Sequence, residues 1–222
     1  MCPSRCLRGM KSYTQAGVLV LADITGFTEF VTATELEHGP QLIADLLEAV
    51  MRRLSPPLEI QEVEGDAIFA LGPEGAVVPP TRLLDVLDGA FVAFKNRQRQ
   101  MEADDSCSCA ACRNVSDLNL KIVAHHGRFL RQRVGGRGQV AGVDVIIAHR
   151  LLKNGLKRGR AYLLLTEAAL AWLGIDQARA KLTAHVERYE HLGNVRCFVR
   201  DLPEPVREPS CPAGAFTETS AA

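Results

Sequence analysis

The chain has 222 residues, of which 47% are hydrophobic and 23% are charged, a composition typical of globular proteins that bury a substantial core. Its 26 Lys and Arg balance its 26 Asp and Glu, so the net charge favours neither nucleic acid nor an anionic membrane surface as a partner. We therefore expect no nucleic-acid partner. Because no apolar run approaches the roughly 18 residues of a membrane-spanning helix, we also expect a cytoplasmic protein with no membrane partner.

The first predicted elements follow a polar segment, residues 1–15, which we expect to be a flexible N-terminus. The run AGVLVLADI, residues 16–24, is continuously apolar up to its Asp, as in strands that are covered on both faces. Apolar residues at helical spacing predict a helix over 40–55. Residues 58–71 predict two short strands joined by a tight turn at Gly65.

The later elements predict a mixed sheet with helices packed on it, an α/β or α+β sandwich over residues 16–202. Residues 203–222 are rich in Pro, Ser, Thr and Ala, and we expect them to form a disordered tail. The elements predicted in the second part of the domain are a helix over 81–102, a Cys-bearing loop over 104–117, a strand over 118–127, a short strand over 138–142, a helix over 143–155, a strand over 161–166, a helix over 167–174 and a closing hairpin over 185–202.

Two carboxylates stand at the ends of predicted strands. Asp23 ends the apolar first strand, where an isolated charge costs several kcal/mol unless it is paired or binds a cation. Asp66 follows the hairpin turn, and two carboxylates on neighbouring strand ends can share two divalent cations about 3.5–4 Å apart. The backbone amides from Ile24 to Thr28, which turn into a helix at Gly26, predict an anion-binding end suited to a triphosphate. In the alternative interpretation, Asp23 is a helix cap and Asp66 a turn residue.

A cysteine cluster occupies the loop after the second long helix. Cys107, Cys109 and Cys112 lie within the six residues CSCAAC, and three thiolates at this spacing can converge on Zn²⁺. In the alternative interpretation the loop is rich in thiols but binds no metal, and it is redox-active instead. The fourth ligand of a closed site would come from one of several candidates: Cys2, Cys6, His125 or a Cys of a partner chain.

Four segments together resemble the catalytic domain of class III adenylate and guanylate cyclases. LADITGFTEF, residues 21–30, and EVEGDAIFAL, residues 62–71, resemble the Asp-bearing strand end and the Gly-Asp hairpin of that family. HHGRF, residues 125–129, resembles its next strand, and VAGVDVIIAHRLL, residues 140–152, resembles its Gly-x-x-Val-Asn-x-Ala-x-Arg helix start. The resemblance covers residues 17–200 and implies the ferredoxin-like core of a class III nucleotide cyclase, assembled as a head-to-tail homodimer.

The resemblance also implies a ligand set at the first two segments. Asp23, Asp66 and the backbone carbonyl of Ile24 would hold two Mg²⁺ or Mn²⁺ ions per site, which are the expected cofactors beside a Zn²⁺ ion at the cysteine cluster. The triphosphate of a nucleotide would contact the backbone of the turn that follows, which comprises Gly26, Phe27 and Thr28.

Base recognition and catalysis are implied at five further positions. Glu62 occupies the position that reads the base, where a carboxylate accepts the N1 and N2 hydrogens of guanine and so favours GTP over ATP. Gln139, at the partner position, suits either base, and Arg150 matches the Arg that stabilises charge on the α-phosphate. Two positions depart from the family: Ile146 replaces the Asn that hydrogen bonds the ribose, and His191 stands where a Lys binds the terminal phosphates.

The implied reaction is attack of the ribose 3′ oxygen on the α-phosphate of a nucleoside triphosphate, giving a cyclic nucleotide and pyrophosphate. Because each lost transition-state contact typically costs roughly 10²–10³ in rate, we expect a nucleotide-binding protein with weak turnover. The Cys cluster and the run HRLLKNG are most similar to an uncharacterised bacterial offshoot of the cyclases, known only as a domain of unknown function. The alternative is a non-catalytic regulatory or interaction module on the same fold, in which the Cys cluster is the working part.

Overall fold

The computed structural model describes residues 12–34, 38–103, 107, 109–156, 161–178 and 180–205. In this part of the chain an eight-stranded mixed sheet is packed against six α-helices. The strands are β1 (Tyr13–Thr25), β2 (Glu59–Glu64), β3 (Ala67–Pro73), β4 (Asn119–Val134), β5 (Arg137–Ala141), β6 (Tyr162–Thr166), β7 (Thr183–Tyr189) and β8 (Gly193–Asp201). The helices are α1 (Phe27–Ala33), α2 (Gly39–Leu54), α3 (Arg82–Glu102), α4 (Ala110–Asn114), α5 (Val143–Leu151) and α6 (Glu167–Leu173).

The predicted α+β sandwich is confirmed. The strand order is β2-β3-β1-β4-β6-β8-β7, and β5 pairs with the far end of β4. All pairings are antiparallel except that of β4 with β6, because the connection between those two strands crosses over through α5. None of the helices in the described ranges is long and apolar enough to cross a membrane.

The two faces of the sheet are covered unequally. On one face Val18, Val20 and Ala22 of β1 pack into a large core with residues of α2, α3 and α6. On the other face Leu19 and Leu21 pack into a smaller core with residues of α5. Because side chains alternate along a strand, Asp23 belongs to the α5 face, at the end where β1 leaves the sheet.

Several predicted element boundaries differ from the observed ones, and one short helix was not predicted. β1 begins at Tyr13, inside the segment expected to be flexible, because its start pairs with the second half of β4. β4 runs on from residue 127 to Val134, where it pairs with both β1 and β5. The Cys-bearing loop contains the short helix α4, which the sequence did not indicate because five residues are too few for an amphipathic period.

Candidate functional site

The structure brings Asp23 and Asp66 together. Asp23 lies opposite Ala67 in the pairing of β1 with β3, so Asp66, the residue before Ala67, lies beside Asp23. The backbone N–H of Ile24 donates to the carbonyl oxygen of Asp66 at 3.1 Å, which fixes the β2–β3 turn against the end of β1. The two carboxyl groups are close enough for the charge of Asp23 to raise the pKa of Asp66. Two oxygen-rich side chains therefore converge at one end of the sheet.

The electrostatics of this pair favour a bound cation. Burial first, and then the charge of Asp23, raise the pKa of Asp66 from 3.8 to about 6, against the lowering effects of its own backbone N–H and of Lys121. Two ionised carboxylates this close repel each other, which costs free energy, so the pair retains a proton in mild acid. A divalent cation would replace that proton, and carboxylate oxygens are the ligands that Mg²⁺ and Mn²⁺ prefer.

Lys121 is a member of this site that the sequence analysis missed. It pairs with Asp23 across β1 and β4, and its ammonium group contacts Asp23 Oδ2 at 2.5 Å, with both side chains largely buried. The available sequence signal was a lone charge inside the strand LNLKIVAHHG, on the face opposite Leu120 and Ile122. Lys121 offsets part of the negative charge while contacting one oxygen of Asp23, so the second oxygen remains as a ligand.

The backbone around the pair includes the carbonyl of Ile24 and the N-terminal end of α1. The N–H and C=O of one strand residue lie on the same side, so the carbonyl of Ile24 faces the β2–β3 turn as its N–H does. Gly26 has φ +88°, a left-handed conformation that other residues rarely adopt, and this lets the chain enter α1 immediately after β1. The first N–H groups of α1, from Phe27 and Thr28 onward, lack intrahelical partners as in any helix.

The raised pKa of Asp66 predicts a pH-dependent metal affinity. Because Mn²⁺ competes with a single proton, its affinity is expected to be constant above about pH 7 and to fall about tenfold per pH unit well below the pKa of about 6. Isothermal titration calorimetry between about pH 5 and pH 8 measures this directly. An affinity that does not change over that range would contradict the assignment.

Glu62 lies on the same face of the sheet as Asp23. It pairs with Phe69 across a bulge in β2 and is exposed. His149 of α5 packs edge-on against Phe69, with ring centroids 4.9 Å apart. Burial lowers the pKa of His149, while the charges of Glu62 and Glu64 raise it. The imidazole of His149 is therefore close to the carboxylate expected to read the base.

Gln139 and His191 lie at the opposite end of the sheet from the paired carboxylates. Gln139 pairs with Gln132, which is 11 residues along β4 from Lys121, the partner of Asp23, a span of about 35 Å in an extended strand. His191, with φ +70°, is in the β7–β8 turn. The other end of β8, at Asp201, is the end that lies level with Asp23 across the paired strands. Within one chain these residues cannot reach the carboxylates.

Arg150 and Ile146 occupy exposed positions of α5. The backbone carbonyl of Arg150 accepts a hydrogen bond of 3.0 Å from the hydroxyl of Tyr189, which joins α5 to β7. Ile146 is 50% exposed although it is large and apolar. Both residues therefore remain available on the less covered face of the sheet, beside the smaller core.

An apolar cavity of about 500 Å³ lies behind the β2–β3 turn, between that turn, α1 and α2. Its lining carries Glu48 as a charged residue and is otherwise mostly apolar, so it does not suit a triphosphate. The lining residues are Phe27, Val31, Pro40, Ile43, Ala44, Leu47, Glu48, Met51, Val63 and Gly65.

The three cysteines of the predicted cluster are gathered around a histidine. Ligand atoms of Cys107, Cys109, Cys112 and His38 all lie within 4.8 Å of one another, and the cysteines are free thiols. The N–H of Cys112 and then His38 lower the pKa of Cys109 to about 6. The hydrogen bond to Cys109 and then burial raise the pKa of Cys112 to about 12. One thiolate is thus stabilised by its neighbours.

His125 is not a ligand of this cluster, and that candidate was wrong. Its Nδ1 lies 2.8 Å from Thr166 Oγ1 and its Nε2 lies 3.0 Å from Asp144 Oδ1, in a network that joins β4, β6 and α5. Strand pairing, which the sequence did not reveal, fixes this position. Two other candidates, Cys2 and Cys6, lie outside the described residues.

Comparisons with known proteins agree with the fold and with the predicted uncharacterised family. A family described as "Protein of unknown function (DUF2652)" matches residues 43–160. "Uncharacterized protein Rv2561/Rv2562" of Mycobacterium tuberculosis is 30% identical over 174 residues, which are 78% of this chain and 80% of the relative.

Solved structures with the same fold are nucleotide cyclases. The guanylyl cyclase Cya2 is 14% identical with a TM-score of 0.68, covering 90% of this chain and 96% of its own. The adenylyl cyclase CyaB from P. aeruginosa is 13% identical with a TM-score of 0.66, covering 89% and 98%. The dimeric guanylyl cyclase domain of the RhoGC fusion protein from the aquatic fungus Blastocladiella emersonii is 15% identical with a TM-score of 0.57, covering 85% and 97%. The chain therefore has the fold of the class III adenylyl and guanylyl cyclase domains and belongs to the DUF2652 family.

Proposed function

We propose that this protein binds a nucleoside triphosphate with two divalent metal ions at the Asp23–Asp66 end of the sheet and slowly converts it to a cyclic nucleotide and pyrophosphate. The observation that carries the proposal is the convergence of a largely buried carboxyl group, that of Asp23, and a partly buried one, that of Asp66, on a cyclase fold. A structural role alone would not require a second carboxylate beside Asp23, because the salt bridge from Lys121 already neutralises it.

The metal ligands in this proposal are Asp23, Asp66 and the carbonyl of Ile24. Bound there, Mg²⁺ or Mn²⁺ would lower the pKa of the ribose 3′-hydroxyl and balance the charge that develops on the phosphates. The backbone of the Gly26 turn binds the terminal phosphates through N–H groups. Lys121 holds Asp23 in place from the neighbouring strand, so the carboxylate is positioned before the nucleotide arrives.

The proposed site is shared between two copies of the chain. Gln139 and His191 lie at the far end of the sheet, so they can join the carboxylates of Asp23 and Asp66 only across an interface. A head-to-tail homodimer with a two-fold axis places the far end of each copy over the near end of the other, and creates two equal sites. The exposed Ile146 on α5 provides apolar surface for this contact.

The same arrangement accounts for the slow turnover we expect. Arg150 of the second copy stabilises charge on the α-phosphate, but Ile146 cannot hydrogen bond the ribose. His191 is 87% exposed and next to Glu190, so it offers the terminal phosphates a weaker cation than a lysine. On the base side, the exposed carboxylate of Glu62 favours guanine over adenine.

A direct test incubates purified protein with Mn²⁺ and either GTP or ATP and measures cyclic product. We expect cyclic GMP to form faster than cyclic AMP, and Mn²⁺ with nucleotide to raise the melting temperature. Absence of product together with an unchanged melting temperature would refute the proposal.

A non-catalytic regulatory module is the second candidate function. Ile146 and His191 favour it, because both replace groups that the reaction uses. This candidate predicts that Mn²⁺ and GTP stabilise the protein without any cyclic product, or that neither has an effect. Product formation that depends on Asp23 would exclude it.

A further inference from the structure

The segment CSCAAC supplies three candidate metal ligands, and His38 lies beside them as a candidate fourth ligand. Nδ1 of His38 lies 3.3 Å from Cys109 Sγ and 3.4 Å from Cys107 Sγ, and Cys112 Sγ belongs to the same group of mutually close atoms. Zinc binds sulfur at about 2.3 Å and nitrogen at about 2.0–2.1 Å, so the edges of its tetrahedron are about 3.5–3.8 Å long. The observed spacing between nitrogen and sulfur is close to that of a tetrahedral zinc site.

The local structure explains why these four side chains meet. Cys109 is the N-cap of α4, and its sulfur accepts the N–H of Cys112 at 3.4 Å, which places both sulfurs of the C-x-x-C pair on one side of the first turn. His38 is the N-cap of α2, where Gly39 and Pro40 start the helix. Because α4 packs against both α1 and α2, the histidine and the thiols converge from two separate connections.

We propose that His38, Cys107, Cys109 and Cys112 form a closed zinc site with three sulfur ligands and one nitrogen ligand. Four protein ligands leave no open position, so the ion has a structural role and takes no part in the proposed cyclase reaction. It ties the α3–α4 connection to the start of α2. Since α1 follows the Gly26 turn and packs against α4, the zinc ion also stabilises the helix that follows Asp23.

The test measures zinc in the full chain, purified without added metal, by elemental analysis. We expect about one zinc ion per chain, lost in Cys109→Ser and in His38→Ala. His38→Cys is expected to retain zinc, because a thiolate can replace the imidazole, and this variant separates loss of a ligand from loss of folding. Cobalt substitution should give the absorption of a tetrahedral thiolate site, with a stronger charge-transfer band in His38→Cys.

Matched controls make each outcome decisive. His191→Ala removes an exposed histidine in a distant turn and should leave the zinc content unchanged. The double variant Cys2→Ser, Cys6→Ser should also retain zinc. The proposal is overturned if the wild-type chain contains no zinc, or if His38→Ala retains zinc with the same cobalt spectrum.

Discussion

Replacing Asp66 with Asn is expected to make the metal-free protein more stable at neutral pH and to abolish its response to Mn²⁺. The folded protein holds the pKa of Asp66 near 6, above its ordinary 3.8, through burial and the charge of Asp23. The stability that this carboxyl contributes is therefore fully present below about pH 4 and is lost as the pH rises through 6. At neutral pH the ionised carboxylate destabilises the fold, and the neutral amide removes that cost.

The expected size of the effect is modest for stability and large for metal binding. Because Asp66 is only partly buried, solvent screening reduces the stabilisation to on the order of 1 kcal/mol, or roughly 2–4 °C in melting temperature. Thermal unfolding at about pH 8 and about pH 4, with Mn²⁺ or a chelator, measures both effects. Asp85→Asn, an exposed carboxylate on α3, is the matched control and should keep the Mn²⁺ response. A less stable Asp66→Asn, or one that still responds to Mn²⁺, would count against the pair.

Mixing two inactive variants is expected to restore activity if the site is shared between copies. Asp66→Asn removes a metal ligand and Arg150→Ala removes the contact to the α-phosphate, and we expect each alone to cost at least roughly 10²-fold in rate. In a mixed dimer one site carries both changes and the other carries neither. An equal mixture that exchanges freely should therefore recover roughly a quarter of the wild-type rate.

The assay follows cyclic product after the two variants are mixed at equal concentration and allowed to exchange. A mixture of Asp66→Asn with Asp23→Asn is the control, because both changes lie on the same side of the site and cannot complement. If the Asp66→Asn and Arg150→Ala mixture stays inactive while dimers exchange, the site lies within one chain and the shared arrangement is wrong.

The paired carboxylates were predictable because their signals are local. A buried apolar run that ends in Asp23, and a tight hairpin that leads into Asp66, can each be recognised in about a dozen residues. That the two meet depends on the pairing of β1 with β3, which the sequence resemblance implied and the structure shows. The α+β sandwich was predictable for the same reason, since most of its elements have a clear hydrophobic period.

The remaining site residues depend on long-range pairing. His38 is 71 residues from Cys109, and nothing near it in sequence marks it as a metal ligand. The charge of Lys121 was visible within a strand, but only the register of β1 with β4 places it against Asp23. The placement of Gln139 and His191 at the far end likewise follows from strand order, which single-sequence patterns do not encode.

Binding of Mn²⁺ in the presence of a non-hydrolysable GTP analogue, followed by the electron paramagnetic resonance of the free ion, tests the central claim most directly. We predict that the wild-type chain binds about two Mn²⁺ ions per nucleotide and that Asp23→Asn loses both, since the ions share that carboxylate. The soft thiol cluster does not compete, because Mn²⁺ prefers oxygen ligands. Equal Mn²⁺ binding by the wild-type chain and Asp23→Asn would contradict a metal site at the end of β1.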